Sequence, residues 1–102
     1  KLRNGVVAHS KVVSGLDAFD VIVSNDDVTR HKPDPEIYLL AAQRLGVRPE
    51  DCLVVEDTST GVQAGRSAGM RVAAVPNLYT HGHDFSQADA VVATLRDAIS
   101  LL

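Results

Sequence analysis

Residues 52–61 read CLVVEDTSTG: an apolar run that ends abruptly in two adjacent carboxylates, Glu56 and Asp57, followed by small hydroxylated residues and a glycine. No Lys or Arg lies between Arg48 and Arg66, so nothing nearby in sequence offsets the paired charge. A short run that is apolar at successive positions suits a strand buried on both faces of a parallel sheet, because side chains alternate faces along a strand. Similar brief runs occur on either side at Gly5–Ala8, Asp20–Val23, Arg71–Val75 and Ala90–Val92. Between the second run and Cys52 lies a well-marked helix. Asp34 can cap it, Pro35 suits its first turn, Glu36 complements the positive end of its dipole, and Gly46 can stop it. Its apolar residues Ile37, Leu40, Ala41 and Leu45 fall on one face. A second helix is expected from about Thr60 to Ala68, capped by Thr58 or Ser59 and stopped at Gly69, and a third from Thr94 to Leu102. Strands alternating with helices predict an α/β fold with a mostly parallel sheet, flanking helices and right-handed crossovers, in a single domain over residues 1–102. The link at residues 9–19 is too short for a full helical crossover, which needs about a dozen residues or more.

Composition narrows the function classes. The chain has 102 residues, 45% of them hydrophobic, with 10 basic against 13 acidic side chains and a net charge of −3. Nucleic-acid binding needs a basic stripe to displace counterions, and no Lys/Arg cluster is present. No apolar run reaches about 18 residues and no secretory leader pattern is visible, so no membrane contact is expected and the expected setting is cytoplasmic. The single cysteine, Cys52, cannot form an internal disulfide and reads as a small buried apolar residue. The chain starts at Lys1 and runs almost at once into an apolar segment, which reads as a piece of something longer.

Ligands of open α/β sheets bind at the carboxyl ends of the strands. Glu56 and Asp57 end one strand, and Ser24, Asn25, Asp26 and Asp27 end another. Lys32 lies in the loop before the well-capped helix. Two like charges side by side raise each other's pKa unless a cation offsets them. A hard divalent ion is one compensator; Mg²⁺ takes one or two protein carboxylates, several waters and substrate phosphate oxygens. Ser59, Thr60 and Gly61 follow at a helix start, where free N–H groups favour anions. The competing reading is that the two acids simply complement the following helix as solvated charges. Lys32 could likewise be an ordinary surface charge, although Pro33 and Pro35 stiffen the backbone around it and fix where its ammonium points.

The stretch HKPDPEIYLLAAQRLGVRPEDCLVVEDTSTGVQAGRSAGM, residues 31–70, resembles the third and fourth signature motifs of the haloacid dehalogenase-like superfamily. It is most similar to the branch containing β-phosphoglucomutase and phosphoglycolate phosphatase, with weaker resemblance over about residues 19–92. The resemblance implies a Rossmann-like core and phosphoryl transfer from a phosphorylated small molecule through an aspartyl-phosphate. It implies that Lys32 holds the substrate phosphate beside the nucleophile, that Asp57 binds Mg²⁺ directly and that Glu56 assists, often through water. Residues Ser59, Thr60 and Gly61 would shape the loop over the metal. The acidic pair favours the phosphatase and phosphomutase side over the dehalogenases.

The same resemblance marks what is missing. The family nucleophile lies in an Asp-x-Asp motif, and none occurs in these 102 residues. A Ser or Thr is expected to end the strand at Val6-Val7, where Ser10 is only a loose match. The substrate-selecting cap segment is absent as well. The family places its nucleophile strand between the strands matching residues 5–8 and 52–55. Without it, those two strands either meet directly or expose unpaired edges that invite association. The expectation is therefore an incomplete family core, without cap domain, that catalyses little alone; the alternative is a non-catalytic metal-binding or scaffold module, a degenerate relative. A signalling receiver domain also carries LVVED, but there the pair opens the fold and a later strand ends in Asp, which this chain lacks. His81-Gly82-His83 is readable as a metal pair or as a solvated loop. Gly65 and Gly69 suit close packing and helix termination, and His9 and His31 have no nameable partner.

Overall fold

A computed structural model describes residues 5–8, 11–12 and 28–101. Among these residues one sheet runs in the order β2-β1-β3-β4-β5. Its strands are β1 (Gly5–Ala8), β2 (Lys11–Val12), β3 (Cys52–Glu56), β4 (Arg71–Ala74) and β5 (Ala90–Val91). Three helices flank it: α1 (Glu36–Leu45), α2 (Ser59–Ser67) and α3 (Leu95–Ile99). β1, β3, β4 and β5 run parallel, and β2 pairs antiparallel with β1. The α/β, mostly parallel expectation is met. The expected strand at Asp20–Val23, the acidic cluster around Asp26 and Asp27, His9 and Ser10 lie outside the described residues.

β1 and β3 pair with each other directly, in register from Gly5 opposite Cys52 to Ala8 opposite Val55. The two strands that a nucleophile strand would separate thus satisfy each other's backbone groups, and no edge stays open between them. Of the two outcomes expected for this gap, direct pairing is the one found. Lys11–Val12 forms a strand that no periodicity in so short a stretch announces.

Alternation along β3 sorts its side chains into two layers. Cys52 and Val54 join Ile37, Tyr38, Ala41, Val62, Val72 and Ala74 in the cluster under α1 and α2. Leu53 and Val55 face the other way, against Ala73 and Ala98 of α3. Every residue of β3 is buried, including Glu56.

The helix ends follow their local signals. Gly46 (φ 70°) and Gly69 (φ 79°) adopt left-handed backbone, which costs glycine little. After each helix the same pair of hydrogen bonds closes the last turn: Gly46 N to Gln43 O with Val47 N to Ala42 O, and Gly69 N to Arg66 O with Met70 N to Gly65 O. Thr58 caps α2 through its hydroxyl, which accepts from Gly61 N. At α1 the helix begins one residue later than read: Pro35 is the cap position, and Asp34 Oδ1 accepts from Glu36 N at 2.9 Å. The buried face of α1 is Ile37, Tyr38, Ala41 and Ala42, with Leu40 and Leu45 only half-buried. That face is turned from the expected one because α1 packs against both the sheet and α2. Gly65 lets α2 lie close on the sheet, since a Cβ there would approach Val72 Cγ2 to 2.7 Å. No helix among the described residues is long and apolar enough to cross a membrane.

Candidate functional site

Three segments converge at the carboxyl end of β3: the loop before α1 carrying Lys32, the turn Glu56–Ser59, and the loop at residues 77–83 after β4. Strand alternation decides how the acidic pair is used. Glu56 shares its face with Cys52 and Val54, so its side chain enters the layer under α1 and α2 and is 0% exposed.

A buried carboxylate requires compensation, because removing a charge from water costs far more than a hydrogen bond returns. Lys32 Nζ donates to Glu56 Oε2 at 2.6 Å, with the lysine side chain only 16% exposed. The Tyr38 hydroxyl donates to the same oxygen. Burial first, and then the negative charge of Glu56, push the Tyr38 hydroxyl far above the usual phenol range, which keeps its proton in place as the donor. The Lys32 ammonium also stands 5.2 Å from the centroid of the Tyr38 ring, in cation–π range. Glu56 Oε1 accepts from Asp57 N at 3.2 Å and from the Thr58 hydroxyl at 3.4 Å. Gly61 makes room for this arrangement, since a Cβ built there would run into the Glu56 carboxylate. Ser59, Thr60 and Gly61 are thus the first turn of α2, and Gly61 serves Glu56 by lacking a side chain.

Asp57 sits in a different environment. It is half-buried, and its Oδ2 accepts from Asn77 Nδ2 at 2.9 Å. Two residues on, Ser59 N donates to His83 Nδ1 at 3.2 Å. His83 therefore faces a backbone amide, and its neighbour His81 is solvent-exposed, which is the loop arrangement. Lys32 and Glu56 cancel formally, and Asp57 adds a negative charge at the rim.

Among the described residues no group of three or more His, Cys, Asp or Glu is arranged to hold a metal by itself. The donor chemistry suits a partial site: one hard carboxylate, Asp57, at a strand end, next in sequence to Glu56, which holds the Lys32 ammonium. Mg²⁺ accepts such a site because it retains waters and takes substrate oxygens. The structure brings together Lys32, Glu56, Asp57, Ser59 and Gly61. Ser10 lies outside the described residues. Tyr38 and Asn77 belong to the site and were not singled out from sequence. Tyr38 carries one usable signal, a phenol on a largely apolar helix face, where burial demands a polar partner. Pro76-Asn77 carries only the mark of a turn.

Residues 2–75 match the profile of the haloacid dehalogenase-like hydrolases. The bifunctional riboflavin kinase/FMN phosphatase of Arabidopsis thaliana is 48% identical over 81 residues, covering 79% of this chain and 21% of that protein. The crystal structure of CbbY from Rhodobacter sphaeroides in complex with phosphate superposes with a TM-score of 0.70 at 40% identity, covering 72% of this chain and 33% of the other. β-Phosphoglucomutase from Clostridium difficile gives a TM-score of 0.67 at 34% identity, over 80% of this chain and 35% of that one. The chain therefore spans about a fifth to a third of the length of these relatives. With the motif, the parallel sheet and the profile in agreement, the chain belongs to the haloacid dehalogenase-like hydrolase family, on its phosphatase and phosphomutase side.

Proposed function

We propose that this chain forms the metal- and phosphate-binding half of a Mg²⁺-dependent phosphatase or phosphomutase centre acting on a phosphorylated small molecule. The observation that carries the reading is the Lys32–Glu56 contact of 2.6 Å directly beside Asp57, at the carboxyl edge of a parallel sheet. Asp57 is the carboxylate for Mg²⁺, and Lys32 is the cation for the phosphoryl group. When bound, Mg²⁺ would supply charge neutralisation at the phosphoryl oxygens. Glu56 acts through Lys32: with the Tyr38 hydroxyl on the same oxygen, it fixes the direction of the ammonium in a partly dry site. The half-buried rim excludes part of the solvent, which strengthens the attraction of Lys32 for an anion.

Phosphoryl transfer through an aspartyl-phosphate requires a nucleophile, and the 102 residues contain no Asp-x-Asp. The direct β1–β3 pairing occupies the position of the nucleophile strand and supports a second reading, a chain that binds Mg²⁺ and phosphate without turnover on its own. Calorimetric titration with MgCl₂ in the presence of inorganic phosphate tests both. Binding is expected for the wild-type chain and is lost in Asp57→Ala, and Lys32→Ala loses the phosphate dependence. Absence of binding in the wild type removes the metal reading. Robust, Mg²⁺-dependent hydrolysis of p-nitrophenyl phosphate, abolished by Asp57→Ala, removes the expectation that the isolated chain is inactive.

A further inference from the structure

After β4 the chain turns at Pro76-Asn77, and the Asn77 side-chain amide is held at both its oxygen and its nitrogen. Its Oδ1 accepts from Tyr79 N at 2.8 Å and from Thr80 N at 3.0 Å. Its own backbone N donates to Thr80 Oγ1 at 2.9 Å, and Thr80 is buried. With the amide oxygen committed to two N–H groups, Nδ2 must point the other way, and it meets Asp57 Oδ2 at 2.9 Å. The opposite amide orientation would set oxygen against carboxylate and NH₂ against N–H, so the network assigns it. The far end of the same loop holds the acidic turn a second time, through His83 Nδ1 and Ser59 N at 3.2 Å. Burial of Leu78 and Tyr79 does not anchor the loop, because they are 88% and 90% exposed. Hydrogen bonds do.

From this geometry we infer that Asn77 is a positioning residue that orients the Asp57 carboxylate for its metal, with His83 as the second anchor of the loop. The inference rests on the proposed role of Asp57 as the Mg²⁺ ligand. A carboxylate on a short side chain rotates freely about χ2 unless a partner fixes its plane. Outer partners of ligating groups typically change metal affinity by about 10–100-fold when removed.

Two variants separate positioning from loop building. Asn77→Ser retains a short acceptor for the turn and cannot reach Asp57. Thr80→Val removes the hydroxyl that closes the turn and leaves the Asn77–Asp57 contact. In Mg²⁺ titrations of the full chain, Asn77→Ser is expected to weaken binding about tenfold, with Thr80→Val staying within about twofold of wild type although it lowers Tm. Wild-type affinity in Asn77→Ser, or equal weakening in Thr80→Val, overturns the inference and leaves the Asp57 reading standing. A readout without metal is the exchange of the Asn77 side-chain amide protons, followed by NMR. They are expected to exchange more slowly than those of exposed Gln63, and to lose that protection in Asp57→Ala. Exchange as fast as Gln63 in the wild type overturns the inference on its own. A wild-type chain that binds no Mg²⁺ overturns the Asp57 reading and the inference with it.

Discussion

Glu56 and Asp57 are neighbours in sequence and are held by opposite means. Glu56 lies inside the layer beneath α1 and α2, 0% exposed, its oxygens engaged by Lys32, Tyr38, Thr58 and the Asp57 amide. Asp57, the next residue, turns to the rim, where its Oδ2 accepts from the side chain of Asn77 in a surface loop. One acid is set by the core and the other by a hydrogen-bonded clip. Stability should therefore depend on the first and ligand binding on the second.

The sharpest way to break that contrast is to truncate each acid. Glu56→Ala leaves the Lys32 ammonium largely buried without its carboxylate, a loss of about 3–5 kcal/mol, and thermal denaturation should show Tm lower by more than about 10 °C. Asp57→Ala should change Tm by no more than a few degrees, within about 0.5 kcal/mol, and abolish Mg²⁺ binding. Equal losses of Tm in the two variants would erase the distinction.

Tyr38→Phe keeps the ring under Lys32 and removes one donor to a charged oxygen. Chemical denaturation should report a loss of about 1.5–3 kcal/mol. A neutral outcome would mean that Glu56 is satisfied without the phenol.

Gly61→Ala tests the space for Glu56. Alanine is favoured over glycine in a helix by up to about 1 kcal/mol, so a gain is the default for a helical glycine. Here the added methyl meets the Glu56 carboxylate, and urea titration should show a net loss of about 1–3 kcal/mol. A gain in stability would remove the assigned role of Gly61.

The smallest effect lies at the other end of the loop before α1. The Glu36 carboxyl is held below its ordinary value of 4.5, chiefly by the Thr29 amide, then by the Arg30 amide. A folded-state pKa below the unfolded one adds stability above the unfolded value and loses it as pH falls through the folded one. Glu36→Gln should therefore have a slightly lower Tm than wild type at pH 7, and the gap should close as pH drops below 4.5. A gap constant with pH would show that ionisation of Glu36 contributes nothing.

Lys32 and the acidic pair were legible as one site because KPDP and the strand-ending ED form a specific string, and strand ends of parallel sheets converge on one side. The division of labour between the two acids was not. It depends on which face of β3 carries Val54, and that is settled by the packing of α1 and α2. Tyr38 stood outside the expected face of α1 because a helix packed against two neighbours buries a different arc from one packed against a single surface. Asn77 lies 20 residues from Asp57, and no local pattern spans that distance.

The sequence by itself determined several local features: the buried run of β3, the glycine stops of α1 and α2, the Thr58 cap and the α/β alternation. These follow from φ/ψ preference, capping and side-chain period, all of which act over a few residues. Tertiary structure alone decided that β1 closes on β3, that Glu56 is enclosed with Lys32 and Tyr38, and that a loop after β4 holds Asp57. Those are choices of partner across the chain, made by backbone groups and buried charges that must find compensation wherever packing places it.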